Sequence, residues 1–231
     1  MEKKLQVPKE TKNDKIHSLI KGAIGSIPFA GGVVSETFGL IVAPPITKRR
    51  EKWMELVVLE LEKLKKSVEG FKVENLKNND EFISFLIEAS EIATKTHQDE
   101  KLNYLKNSIS NFFNKNIDFD KKYTILKLID NLSSTHLNIL RFISDNEINI
   151  QNKIKGFDGL LELYCQENNK IVDKDYFRKF VKDLENASLI RLSGDFEDFY
   201  GGSGYVATDS GAPSIKLLDN GKDFINFISL T

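Results

Sequence analysis

The side chains that carry most protein chemistry stand apart in this chain. His17, His97 and His136 fall in three separate predicted helices or caps, with no His-x-x-x-His pair and no glutamate beside one, so metal-ligand spacing is missing. Each reads as a surface or capping histidine. Cys165 is the only cysteine and lies in an apolar, helical-looking run from Leu160 to Gln166, which rules out a disulfide framework and a cysteine metal set. Ser203, Ser210 and Cys165 have no neighbouring histidine and aspartate pattern to activate a nucleophile, which leaves open only a triad assembled in three dimensions. The run Gly201 to Gly204 lacks the Lys-Ser or Lys-Thr that holds nucleotide phosphates, and it sits between strands rather than before a helix. It reads as a flexible tip. The sequence therefore offers no catalytic residue, no cofactor site and no metal site, and the expectation is a protein that is not an enzyme.

Composition narrows the remaining classes. With 231 residues, 40% hydrophobic and 29% charged, the chain can bury one large core or two small ones, which excludes general disorder. Its 33 basic and 34 acidic side chains nearly cancel, so attraction to nucleic acid or to an anionic surface must be local. The first 15 residues are polar and lysine-rich and the apolar run comes late, which is not the order of an export signal. The expected location is cytoplasmic, with a peripheral place at the inner membrane left open.

The elements follow from periodicity and punctuation. Residues 1–14 read as a solvated polar arm. Past Pro44 and Pro45 the spacing of Trp53, Leu56, Val57, Glu60, Leu61, Leu64 and Val68 predicts a helix ending at Gly70. Asn79 or Asp80 caps a second helix with Phe82, Leu86, Ala89 and Ala93 inward and Ile83 and Ile92 beside them. Leu102, Leu105, Ile109 and Phe112 form the stripe of a third, and Tyr123, Leu126 and Ile129 that of a fourth over 121–131. Residues 15–131 thus form a helical domain. From 132 to 231 the order changes: a helix capped by Ser133 or Ser134, one over 157–167, one capped by Asp173, a strand at 189–193, a glycine-rich tip, a strand at 214–218 and a last helix over 221–228. That is the order of a winged-helix domain. The fold class is mainly α, an N-terminal helical bundle followed by a winged-helix-like α+β domain with a small β-hairpin.

Two stretches can meet a partner. Between Gly22 and Thr47 the only charge is Glu36; Gly25, Gly32 and Gly39 recur every seven residues, and Lys48, Arg49 and Arg50 close the run. As helix it is long enough to cross a hydrocarbon core of about 30 Å, its glycine face permits close helix approach, and the cations suit lipid headgroups. Pro28, Gly31, Gly32 and Glu36 interrupt it, which favours two short helices, over 16–24 and 32–42, packed on the helix after Pro45. The second stretch is the recognition-helix position, 173–185. Here Lys174, Arg178, Lys179 and Lys182 are matched by Asp173, Asp175, Asp183 and Glu185, and the wing between Arg191 and Lys216 contains acids and no base. Duplex binding needs cations that replace counterions on phosphate, so a protein partner is favoured over DNA, with a winged-helix DNA-binding regulator as the alternative. Homo-oligomerisation through the glycine face is a further expectation.

The segments Glu100 to Asn111, Leu126 to Leu140 and Ile215 to Ile228, taken in order, resemble the abortive-infection alpha family of bacterial phage-defence proteins. The resemblance lies in arrangement: a small-residue apolar N-terminal region, a charged helix, a helix pair, and a leucine-rich helix before a winged-helix-like end. It covers most of residues 16–228, and the long acidic wing over 193–213 departs from it. It implies a role in phage defence or growth arrest through a protein partner or a membrane, and carries over no active-site residue.

Overall fold

Side-chain caps set where several helices begin. The computed structural model describes residues 36–114, 116–148, 150, 154, 156–169, 171–193 and 214–229. The polar arm, His17, Gly25, Gly32, the helix expected over 16–24 and the glycine-rich tip with Ser203 and Ser210 lie outside the described residues. Among the described residues the fold is mainly helical with one small two-stranded antiparallel sheet. Its elements are α1 (Glu36–Ser67), a 3-10 turn (Val73–Asn78), α2 (Asp80–Lys95), α3 (Asp99–Asn111), α4 (Phe119–Asn131), α5 (Ser134–Asp145), α6 (Gly156–Asn168), α7 (Lys174–Asn186), β1 (Ile190–Ser193), β2 (Ser214–Leu217) and α8 (Asp219–Ile228). The chain divides into two units, 1–126 and 127–230, at a boundary inside α4.

In the first unit α1 is the long element. It differs from the sequence expectation by starting at Glu36 and running through Pro44 and Pro45. A proline inside a helix has no N–H, so the Leu40 and Ile41 carbonyls lose their donors; sequence reasoning places a boundary there for that reason. Here the prolines join the short apolar helix expected over 32–42 to the charged helix after it. Trp53, Val57, Leu61 and Leu64 then point into the core as their spacing requires, whereas Val68 stays exposed. Arg49 donates to the Thr94 and Lys95 carbonyls at 3.4 and 3.2 Å, Trp53 Nε1 donates to Ser90 Oγ at 2.8 Å, and Ser110 Oγ donates to the buried Glu60 carboxylate. These pairings run α1 antiparallel to α2 and parallel to α3.

Asn79 caps α2 by accepting from Phe82 N at 2.9 Å. Phe85, fully buried, joins the expected inward face. Phe71, Phe82, Phe112 and Phe113 close one end of the unit with edge and stacked contacts at 5.0–5.4 Å between ring centroids. On α3 the expected stripe is buried, but so are Lys101, Asn107, Ser108 and Asn111, so its polar side is interior too.

The second unit is built on α5, α6 and α7. Tyr164 of α6 lies between Phe142 of α5 and Phe177 of α7, at 5.2 and 5.4 Å. Helix α7 ends in a turn that feeds β1 directly: Ser188 takes φ 56°, its N–H donates to the Glu185 carbonyl at 2.8 Å, and Leu189 N–H donates to the Leu184 carbonyl at 3.1 Å. Strand pairing sets Ile190 against Leu217 and Leu192 against Ile215, all four buried, with Arg191 against Lys216 on the exposed face. Helix α8 packs so close to the start of the hairpin that a Cβ on Gly221 would lie 2.2 Å from the Leu189 carbonyl oxygen.

Two substitutions test this packing. Ser90→Ala leaves the Trp53 indole N–H buried without its acceptor and should cost about 1–3 kcal/mol. Emission of Trp53, the only tryptophan, reads the unfolding midpoint directly, and an unchanged midpoint would contradict the interhelical pin. Gly221→Ala should cost on the order of 1–3 kcal/mol by overpacking against backbone. Amide exchange should accelerate over α8 and the hairpin; wild-type protection there would show that the close approach is not needed.

Candidate functional site

Helix α7 occupies the position that the sequence marks for recognition. Asp173 caps it, accepting from Asp175 N and Tyr176 N at 3.0 and 3.1 Å, while Phe177, Val181 and Leu184 anchor its buried side. The opposite side carries all four cations, and each has a carboxylate partner. Lys174 meets Asp158 of α6 at 2.7 Å, and Arg178 lies 3.6 Å from Asp158 and 4.0 Å from Asp175, with its guanidinium 5.7 Å from the Phe157 ring. Lys179 donates to both oxygens of Asp183, at 2.5 and 2.8 Å. Lys182 meets Glu185 Oε2 at 2.8 Å, and the other oxygen of Glu185 accepts Leu192 N–H of β1 at 2.9 Å. Lys182 is thereby tied to the carboxylate that seals the hairpin edge.

Asp183 also accepts from α5. His136 Nδ1 accepts the Ser133 backbone N–H at 3.1 Å, so the ring proton is on Nε2, which donates to Asp183 Oδ2 at 3.2 Å. Ser133, His136 and Asp183 thus stand in the order of a serine–histidine–carboxylate relay, with Ser133 Oγ 2.7 Å from Nδ1. Their bonds belong to a helix cap. The serine oxygen accepts His136 N at 3.4 Å, and the Nδ1 lone pair that a general base would use is occupied by the backbone N–H. His136 is a buried capping residue. His97 is exposed in the turn between α2 and α3. Among the described residues no group of three or more histidine, cysteine or acidic side chains is placed to hold a metal ion.

The aromatic side chains add what charge counting misses. Tyr176, 67% exposed, stacks on Phe180 at 6.4 Å, and Phe180 meets the His136 ring edge-on at 4.7 Å. Phe180 is half-buried and backs the exposed tyrosine. The i, i+4 spacing of Tyr176 and Phe180 was the available signal. On the hairpin, Arg191 and Lys216 are directly opposed like charges, an arrangement that costs stability unless an anion lies near.

The N-terminal candidates fall elsewhere. Glu36 and Gly39 lie in the first turns of α1. Lys48 is exposed, Arg50 is half-buried, and Arg49 is engaged at the C-terminus of α2, where a cation complements the helix dipole. No described helix is long and apolar enough to cross a membrane. Comparison of the chain with protein-family models, with curated proteins and with solved structures found no match.

Burial works against the charged form of Asp183, but its hydrogen bonds to Lys179 and His136, with the charge of Lys179, outweigh it and hold the carboxyl below its ordinary value. A depressed carboxylate contributes stability that is full above the unfolded-state value and is lost as pH falls through the folded-state value. Acidification through and below the carboxylate range should therefore destabilise α5 and α7. Asp183→Asn should flatten that part of the stability–pH profile; a profile identical to wild type would remove Asp183 from the account.

Proposed function

We propose that this chain is a non-enzymatic, cytoplasmic phage-defence protein whose second unit is a winged-helix-like module that binds a protein through α7, with the apolar N-terminal segment as its effector. The carrying observation is the state of α7: its four cations are matched by carboxylates while Tyr176, backed by Phe180, faces solvent. Phosphate recognition needs cations that gain by leaving their partners, and here they must first break pairs, two of which also fix the cap of α5 and the edge of β1. An exposed tyrosine on a rigid backing is the kind of anchor that protein interfaces use. The phage-defence setting rests on the resemblance to the abortive-infection alpha family.

The test is phage plating on bacteria expressing the chain. Expression should lower plating efficiency for at least one phage of a panel, and Tyr176→Asp should restore plating toward the empty-vector level while circular dichroism and Trp53 emission stay native. A folded Tyr176→Asp protein with wild-type protection would contradict partner capture through α7.

A second reading, a winged-helix DNA-binding regulator, draws on the opposed Arg191 and Lys216, which would gain from a phosphate between them. Under that reading the effect in cells is indifferent to Tyr176→Asp and lost in Arg191→Glu.

A further inference from the structure

Three helix ends meet at one side of the second unit. Tyr164 bridges Phe142 and Phe177 about one turn in from the carboxyl ends of α5 and α6 and from the amino end of α7. Asn146, just past α5, donates to Glu167 of α6 at 3.0 Å. Among the described residues, the large apolar side chains that this unit exposes are Ile148, Ile171 and Tyr176, at 75%, 102% and 67%. All three belong to this end: Ile148 follows α5, Ile171 stands in the turn from α6 to α7, and Tyr176 is in the first turn of α7. Single exposed apolar residues are ordinary on a protein surface, whereas three at one end of a helix group mark a place where something docks.

The charge around them is negative. Over 145–148 and 167–176 the acids are Asp145, Glu147, Glu167, Asp173 and Asp175, and the bases are Lys170 and Lys174, of which Lys174 is already held by Asp158 at 2.7 Å. A helix carboxyl end carries partial negative charge that a nearby cation relieves. Neither α5 nor α6 has a basic residue in its last turn, and Asp145 and Glu167 stand there instead.

We infer that this end seats a basic segment of a protein partner, with an aromatic or branched side chain laid on Ile148, Ile171 and Tyr176 and with lysines or arginines against the acidic rim. The inference rests on the reading of α7 as the protein-binding helix and gives the partner a chemistry. Charge complementarity selects the occupant: a cationic segment supplies what the two helix ends lack, while the same rim repels a phosphate backbone. Tyr176, stacked on Phe180, is the rigid anchor at one side of the seat. An extended segment of about six residues, roughly 20 Å, is enough to cross it.

The test presents the intact chain to a displayed library of random peptides about a dozen residues long. Enriched peptides should combine lysine or arginine with an aromatic or branched apolar residue, and a synthetic copy should bind in anisotropy with an affinity that falls as salt is added. Ile171→Ser, and separately Asp145→Lys with Glu147→Lys, should each weaken that binding by about tenfold or more. A lysine at the end of α5 suits that helix, so circular dichroism and amide exchange over α5 and α7 should stay native. No enrichment, enrichment without basic residues, or an affinity indifferent to both changes overturns the inference. Plating run in parallel separates the two levels. Protection lost in Tyr176→Asp but kept in Ile171→Ser and in the charge-reversed rim sinks the basic-segment seat and leaves partner capture through α7 standing. Peptide binding as expected, with protection unchanged in Tyr176→Asp, supports the seat and sinks the defence reading.

Discussion

Asp183 is the constraint on which the second unit turns. One carboxylate accepts two bonds from Lys179 on its own helix and one from His136 at the start of α5. It therefore fixes the tautomer of His136, and His136 in turn accepts the Ser133 N–H that would otherwise be unpaired at the helix start. A helix cap, a helix pair and the neutralisation of a surface cation share a single charge. Removing that side chain would leave a buried ring donor without its acceptor, and this is why the cluster is better understood as a structural tie than as chemistry in waiting.

The same economy governs the rest of α7. Glu185 divides its two oxygens between Lys182 and the backbone of β1, and Asp158 serves Lys174 and Arg178 from the neighbouring helix. Hydrogen bonding to Lys174, together with the charges of Lys174 and Arg178, holds the Asp158 carboxyl below its ordinary value against a smaller effect of burial. Exposed pairs of this sort contribute little to stability, about 0–1 kcal/mol each. Their consequence is for recognition: they remove the positive field that would draw a phosphate backbone and leave an aromatic pair as the distinctive feature of the helix.

How much of this was legible depended on whether the signal was local. The cap at Asp173 was readable, and those at Asn79 and Ser133 to within one residue, because a capping side chain bonds within three residues of itself. The inward stripes of α1 and α2 were readable because helical spacing keeps them on one face. The start of α1 was not, since two adjacent prolines ordinarily end a helix and here lie inside one. Burial of Lys101, Asn107 and Ser108 was hidden because polar residues give no inward signal. The net neutrality of α7 showed in its composition, but the partners Asp158 and His136 are brought in by tertiary packing. The acidic tip between β1 and β2, which weighed in the sequence argument, lies outside the described residues, so the case for a protein partner stands on α7 itself.

Salt-dependent binding of a fluorescent DNA duplex, followed by anisotropy on the intact chain, tests the neutralised helix most directly. The account predicts no saturable binding even at low ionic strength, and no change when Lys174, Arg178, Lys179 and Lys182 are reversed in a protein that remains folded. Saturable binding that weakens steeply with added salt and disappears in the charge-reversed protein would show that the ion pairs open for phosphate, and α7 would then be a DNA-reading helix.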